Sequence, residues 1–310
     1  MFLFLTSLYF FIGNSFSLVG GGLTHNIKQV VELKNDHSRT YCSGAVVGLS
    51  PLTVLTANHC ILNKELKDIN VLGIRPQKII QSDDNLSDIY SSRLSFPVWK
   101  TQYYEWYTRS GLLEKQSAKG IDIAVLVFDS QDSFGEDLKQ AFTLEAIDID
   151  LEKYRGKMSL CGSGREINSA NGVQVSGKMK CGESYFIPEQ SSDKSLLYLF
   201  SKKYLLCKQW ASVDQLAMLN YATAINGDSG GPLFIFKNNK FFLLALLKSG
   251  LVNTDISLKN EPGRCGVEYG ESFRSDWILF GKKNQMIMDF LKGAVSLGAN
   301  INGINTNSTN

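Results

Sequence analysis

Short runs of alternating or continuous apolar residues recur along the chain, each bounded by turn-forming residues. KQVVEL (28–33), TYCSGAVVG (40–48), TVLTA (53–57), DIAVLVF (122–128), VQVSGKMKC (173–181), PLFIF (232–236) and KFFLLALL (240–247) are the clearest. Many runs of strand length with few stretches of helical period predict an all-β body, a sandwich or barrel. Two of these runs flank Lys237-Asn238-Asn239-Lys240. Asparagine tolerates the positive φ of a tight turn, so Phe234 to Leu244 reads as a hairpin. The clearest helical period comes late, in NQMIMDFLKGAVSL (284–297), where Met286, Phe290 and Leu291 predict the face that packs on the body. From 298 to 310 the chain is Asn-rich and polar and reads as a disordered tail. The aromatic stretch FPVWKTQYYEWY (96–107) lies in a long interval between strand signals and reads as a self-packed surface insertion.

The chain has 310 residues, enough for two domains or one large β domain. Residues 1–12, MFLFLTSLYFFI, form an uncharged apolar run of export-signal length, too short to span a bilayer comfortably. The expected signal peptide is 1–17 and the expected localisation is secreted, extracellular or periplasmic. No later segment is long and apolar enough to cross a membrane; Phe241–Leu247 reads as a buried strand. With 32 basic and 30 acidic side chains the net charge is +2, which argues against a nucleic-acid footprint or a polybasic membrane surface. Lys202-Lys203 and Lys282-Lys283 read as solvated faces. Six cysteines in an exported chain suggest disulfides. There is no CxxC and there are only three histidines, His25, His37 and His59, so neither a zinc site nor any other metal or organic cofactor is expected.

The strongest local chemical signal is INGDSGGP, Ile225 to Pro232. Glycines around a serine let the backbone turn tightly and aim N–H groups at a developing oxyanion. A serine hydroxyl is a poor nucleophile until a base takes its proton, usually a histidine held by a carboxylate. His59 stands directly after an apolar strand in LTANHC, and Asp122 opens DIAVL. Each is weak evidence alone; in the order His59, Asp122, Ser229 the three are specific. GDSGG also satisfies the GxSxG elbow of α/β-hydrolases, but that fold needs a histidine after the serine, and none follows Ser229.

With these motifs in view, the chain resembles the secreted serine endopeptidases of the trypsin/chymotrypsin family. TANHC is similar to that family's histidine box, DIAVL to its aspartate box and GDSGGP to its serine box. YCSGAVV (41–47), PGRCGVE (262–268) and DWI (276–278) resemble further family strands. The resemblance implies two six-stranded antiparallel β-barrels packed together, with a C-terminal α-helix. The first barrel would span 18–150, with an insertion at about 85–118, and the second 151–297. It implies that His59 acts as general base, that Asp122 orients it and that Ser229 attacks the peptide carbonyl. The amides of Gly227 and Ser229 would bind the oxyanion. It also implies a Cys42–Cys60 bridge and sets Cys161 and Cys181 on neighbouring strands. The last four cysteines allow three connectivities, of which Cys161–Cys181 with Cys207–Cys265 is the expected one.

The chain also departs from the family pattern. Ile225 and Ile235 stand where many members carry cysteines, so two bridges common in the family are absent. Thr223 occupies the specificity-pocket floor, where enzymes that cleave after Lys or Arg carry an aspartate, so a cationic P1 side chain would find no counter-charge. In LLKSG (246–250) Lys248 reads as a solvated strand end, or, if it faces the pocket, as a partner for an acidic P1 residue. Leu18-Val19-Gly20-Gly21 resembles the N-terminus that family members expose by proteolysis, whose ammonium pairs with the aspartate before the nucleophile, here Asp228. Ser15 and Ser17 form a small-residue signal-cleavage pattern that would release Leu18. Protein or peptide substrates, a monomeric state, no stable membrane association after signal removal and a proteinaceous inhibitor complete the expectation. The competing reading is a protease-like binding module without useful catalysis.

Overall fold

The computed structural model of the chain describes residues 27–35, 40–61, 64–71, 74–82, 122–128, 138–144, 155–167, 174–176, 179–187, 196–224, 227–252, 265, 272–280 and 284–304. The leader with Leu18, the insertion expected at 85–118, and Ile225 lie outside the described residues.

The first half builds a sheet from β1 (Val30–Lys34), β2 (Thr40–Leu49), β3 (Leu52–Thr56), β4 (Asn70–Val71), β5 (Lys78–Gln81) and β6 (Ala124–Val127). Their order is β4-β1-β2-β3-β6-β5, and every pairing is antiparallel. The run TVLTA becomes β3 and DIAVLVF becomes β6, and every residue of both strands is buried. Continuous apolar strands of this kind suit the centre of a sheet covered on both faces. Among the described residues this six-stranded sheet stays open, a half-barrel rather than a closed one.

The second half contains β7 (Gly156–Gly162), β8 (Arg165–Ile167), β9 (Gln174–Ser176), β10 (Lys180–Phe186), β11 (Leu196–Phe200), α1 (Lys202–Cys207), α2 (Val213–Ala217), β12 (Pro232–Lys237), β13 (Lys240–Val252), β14 (Ser272–Leu279) and α3 (Gln285–Ser296). Strands β10-β11-β14-β13-β12-β7 close into a barrel, while β8 and β9 form a separate two-stranded ribbon. The β12–β13 hairpin turns through Asn238 (φ 52°) and Asn239 (φ 58°), the positive-φ pair that a two-residue hairpin demands. Three disulfides fasten the framework. Cys42–Cys60 ties β2 to the turn after β3, Cys161–Cys181 joins register partners on β7 and β10, and Cys207–Cys265 ties α1 to a late loop residue.

One apolar core runs through both halves. Val47, Leu55 and Val125 from the first sheet share a cluster with Phe234, Leu246 and Ile278 from the barrel and with α3. Phe142, between the halves, is fully buried, its ring tilted against Phe234 at 5.2 Å and edge-on to Phe241 at 5.9 Å. Its backbone stitches both sides: Phe142 N–H donates to Val46 O at 2.8 Å, and Thr143 N–H donates to Phe241 O at 3.0 Å. Burial of this kind contributes about 25 cal/mol per Å² of apolar surface, so the shared cluster couples the two halves energetically.

Two expectations need correction. The buried face of α3 is Ile287, Leu291 and Ala294, with Met286 56% exposed, so the face is rotated one residue from the Met286–Phe290 reading. Both stripes fit the helical period; the one with Ile287 packs into the shared core cluster, and Asn284 caps the helix by accepting from Ile287 N–H. The tail is not wholly disordered either, since residues 298–304 lie against the first sheet. Gly298 (φ 102°) ends the helix. Asn302 N–H then donates to Val47 O at 2.9 Å, Leu144 N–H donates to Asn302 O at 2.8 Å, and Asn300 N–H donates to Thr53 Oγ1 at 3.0 Å. Ala299, Ile301 and Ile304 are buried beneath this strap. The polar average of the segment conceals two isoleucines spaced to reach the core.

Leu291→Ala and Ile301→Ala should each destabilise the fold by about 2–5 kcal/mol, and Met286→Ala by no more than about 0.5 kcal/mol. Chemical denaturation of the three variants checks this; a Met286 loss equal to that at Leu291 would refute the assigned face.

Candidate active site

The end of β3 builds the first part of the site. After Thr56 the chain turns through a single 3-10 turn, Asn58–Cys60, and the Cys42–Cys60 bridge pins that turn to β2. Asp122 lies two residues before Ala124 of β6, the register partner of Thr56, and Asn58 lies two after Thr56, so strand pairing alone brings residues 58 and 122 together. Asn58 N–H donates to Asp122 O at 3.2 Å. The Asp122 carboxylate then divides its oxygens. Oδ1 accepts His59 N–H at 2.8 Å, and Oδ2 meets His59 Nδ1 at 2.7 Å.

The electrostatics follow from burial and pairing. The Asp122 side chain is 3% exposed and that of His59 is 25% exposed. Burial pushes the Asp122 carboxyl up, but the charge of His59 and its two hydrogen bonds, with a further contribution from the Lys248 ammonium, pull it below its ordinary value. For His59, burial opposes the imidazolium; the Asp122 charge and hydrogen bond outweigh it and hold the imidazole above its ordinary value, while Lys248 acts in the opposite sense. An ionised carboxylate can only accept, so Nδ1 carries the proton and neutral His59 has its lone pair on Nε2.

Ser229 sits on a tight turn between Gly227 (φ 96°) and Gly230 (φ 78°). Its carbonyl accepts Ser43 N–H of β2 at 2.8 Å, and Cys60 Sγ lies 3.7 Å from the same oxygen. On the other side Gly230 N–H donates to Leu247 O at 2.8 Å, and Leu247 N–H donates to Gly231 O at 2.9 Å. The loop is thus gripped by β2 from the first half and by β13 from the second. Gly230 packs so tightly on Ser43 O, Thr56 Oγ1 and Ala57 N that a Cβ there would overlap all three. This close approach brings the backbone of Ser229 to the end of β3, where the chain continues into His59.

Asp228, just before Ser229, is 1% exposed and points the other way, its Oδ1 accepting Gly164 N–H at 2.6 Å. Gly162 lies so close to this carboxylate that a Cβ would collide with it. Ser163 completes the seam: its N–H donates to Ser43 Oγ at 2.9 Å, and the two hydroxyls are 3.0 Å apart. Ser43, Thr56, Ser163 and Gly164 were not singled out from sequence. The CGSG run at 161–164 carried the one available sign, a glycine–serine–glycine turn ending a strand.

Thr223 is buried on the segment that runs beside β10, between Ala222 and Ala224. Lys248 corrects the expectation of a solvated strand end: it is 8% exposed, at a bulge of β13 between Leu247 and Ser249, and its charge acts on both His59 and Asp122. Leu18 and Ile225 lie outside the described residues. Sulfur atoms of Cys42 and Cys60 and a ring nitrogen of His59 fall within 4.8 Å of one another. Both sulfurs are consumed in the disulfide, so they offer no thiolate to a metal.

The comparisons with known proteins agree with this geometry. No curated protein matches the chain. A family model described as Trypsin matches residues 19–258, a span that includes His59, Asp122 and Ser229, and on that match the chain belongs to the trypsin family.

Proposed function

We propose that the protein is an exported serine endopeptidase that hydrolyses peptide bonds through His59, Asp122 and Ser229. The observation that carries the reading is the divided Asp122 carboxylate, which holds the Nδ1 proton and so makes Nε2 the basic nitrogen of neutral His59, at the strand end that Ser229's loop is packed against. In this reading Nε2 takes the Ser229 hydroxyl proton as Oγ adds to the scissile carbonyl carbon. The N–H groups of Gly227 and Ser229 hold the resulting oxyanion. The imidazolium then gives its proton to the departing amine, leaving an acyl-enzyme. Water, deprotonated in turn by His59, attacks that ester and releases Ser229.

Specificity follows from Thr223. A buried cation needs a counter-charge, and a threonine at the pocket floor supplies none, so cleavage after Lys and Arg is weak or absent. Activation follows from Asp228. Signal cleavage after Ser17 would release Leu18, whose α-ammonium, with a pKa of about 8, is mostly charged at neutral pH. Paired with the buried Asp228 carboxylate, it would set the shape of the serine turn. Export and activation become one cut, and a proteinaceous inhibitor is the natural restraint on an enzyme without a zymogen stage. Substrates are proteins or peptides, and no cofactor takes part.

The matured protein should be labelled by a fluorophosphonate probe, and Ser229→Ala should abolish labelling and lower kcat by about 10⁶-fold while leaving the circular dichroism spectrum unchanged. A wild-type protein that stays unlabelled beside a labelled control enzyme would instead indicate a binding module. Profiling a peptide library should return P1 residues other than Lys and Arg; dominance of either would overturn the role given to Thr223. N-terminal sequencing of fully active enzyme should begin at Leu18, and any other terminus would sink the coupling of export to activation.

A further inference from the structure

Ser43 is fully buried on β2, and its backbone and side chain engage different segments. Its N–H donates to Ser229 O at 2.8 Å, and its carbonyl accepts Thr56 Oγ1 at 2.8 Å. Its hydroxyl crosses to the second half, where Oγ accepts Ser163 N–H at 2.9 Å and lies 3.0 Å from Ser163 Oγ. The contact with Ser229 uses main chain alone and needs no side chain at position 43. The hydroxyl serves another purpose, which its partner reveals.

Ser163 and Gly164 stand between two ladders. β7 ends at Gly162, the register partner of Lys180, and β8 begins at Arg165, the partner of Ser176. Neither ladder includes this two-residue link, and Ser43 Oγ supplies the acceptor for its first amide. Its second amide, Gly164 N–H, donates to Asp228 Oδ1 at 2.6 Å. Asp228 is covalently joined to Ser229, so the contacts close a ring through Ser43, Ser229, Asp228, Gly164 and Ser163. Ser43, Ser163 and Asp228 are all buried, and Gly162 packs on the Asp228 carboxylate with no room for a Cβ. A displacement of the 163–164 link is therefore passed on to Asp228. The Asp228 carbonyl accepts Gly231 N–H at 2.8 Å, and across a trans peptide the Ser229 N–H points the opposite way from that carbonyl. The aim of the Ser229 amide follows the seating of Asp228.

We propose that Ser43 is a positioning residue whose hydroxyl, by accepting Ser163 N–H, seats Gly164 against Asp228 and so fixes the Ser229 amide that receives the oxyanion. The inference rests on the peptidase reading. Without Ser43 Oγ, the Ser163 N–H and hydroxyl lose that partner in a buried seam, and the link shifts to recover hydrogen bonds. Oxyanion donors act only when held at hydrogen-bond distance from the developing charge. The loss should fall on the transition state, because a substrate carbonyl carries little of that charge.

The test compares two variants that each remove one hydroxyl of the buried pair, with rates counted per fluorophosphonate-labelled site. Ser43→Ala should lower kcat by about 10–100-fold, the cost of a misplacement on the order of 1 Å. KM should stay within about threefold, the mark of an interaction made in the transition state. Affinity for a peptide boronic acid, whose tetrahedral adduct places an oxygen where the oxyanion forms, should fall by the same factor as kcat/KM. Ser163→Ala keeps its N–H on Ser43 Oγ and should cost less than about threefold in kcat. A merely structural role would lower the melting temperature of both variants and leave kcat per labelled site alike in the two. Ser43→Gly, which also lacks the hydroxyl and keeps the N–H, replaces Ser43→Ala if that variant does not fold. Wild-type kcat per site in the Ser43 variant, an equal loss in Ser163→Ala, or unchanged boronic acid affinity would each overturn the proposal alone. An unlabelled wild type that binds no boronic acid would overturn the peptidase reading and this proposal with it.

Discussion

Two hydrogen bonds from one residue, His59 N–H and Nδ1 to the two oxygens of Asp122, are the interaction around which the site is arranged. The first fixes the backbone of the 3-10 turn and the second fixes the ring, so a single buried carboxylate sets both position and tautomer. The sign of its linkage to stability follows from the two shifts. Asp122, held below its ordinary value of 3.8, contributes stability in full above that pH and loses it as pH falls through the lowered value. His59, held above its ordinary 6.5, contributes in full below that pH and loses it as pH rises through the raised value. The ion pair therefore stabilises the fold most in mildly acidic solution, where a protonated His59 cannot act as a base. Stability and the base form are drawn to opposite ends of the pH scale, and any nearby charge that shifts one shifts the other.

The remaining architecture answers a different constraint, that the serine turn belongs to one half and the histidine turn to the other. No hinge can be tolerated between them. Ser43 serves as the rivet: its N–H holds Ser229 O, its carbonyl accepts Thr56 Oγ1 at 2.8 Å, and its hydroxyl engages Ser163. Around this seam Phe142 fills the space between the halves, while α3 and the 298–304 strap return the chain from the closed barrel to the open sheet. Among the described residues only the sheet of the second half closes, which is consistent with this division. The strap lies along Val47 and Thr53, so the end of the chain covers part of the first sheet.

Much of this was legible in the pattern of residues. TVLTA, DIAVLVF and the PLFIF–KFFLLALL hairpin became β3, β6 and β12–β13, because continuous apolar runs bounded by turn residues admit little else. The meeting of His59 with Asp122 was legible because each lies at a strand end, where the β3–β6 register delivers both to a common edge. What escaped reading depends on choices that local pattern leaves degenerate. Met286 and Ile287 both begin apolar stripes of helical period, and only the cap and the core decide between them. Residues 298–304 looked polar because composition averages over a stretch in which Ile301 and Ile304 are the residues that matter. The short helices α1 and α2 have too few residues to show a period; Ser201 and Ser212 cap them, and Phe200, Tyr204 and Trp210 pack together around α1.

Lys248 was misread for a more instructive reason. On a strand a lysine is expected to alternate outward, and only a bulge breaks the alternation that makes this a safe assumption. At 8% exposure the Lys248 side chain lies within the fold, where its charge acts on both His59 and Asp122. Thr223 brings no charge of its own. Burial thus decides what the two residues present, Lys248 a charge held within the fold and Thr223 a neutral side chain.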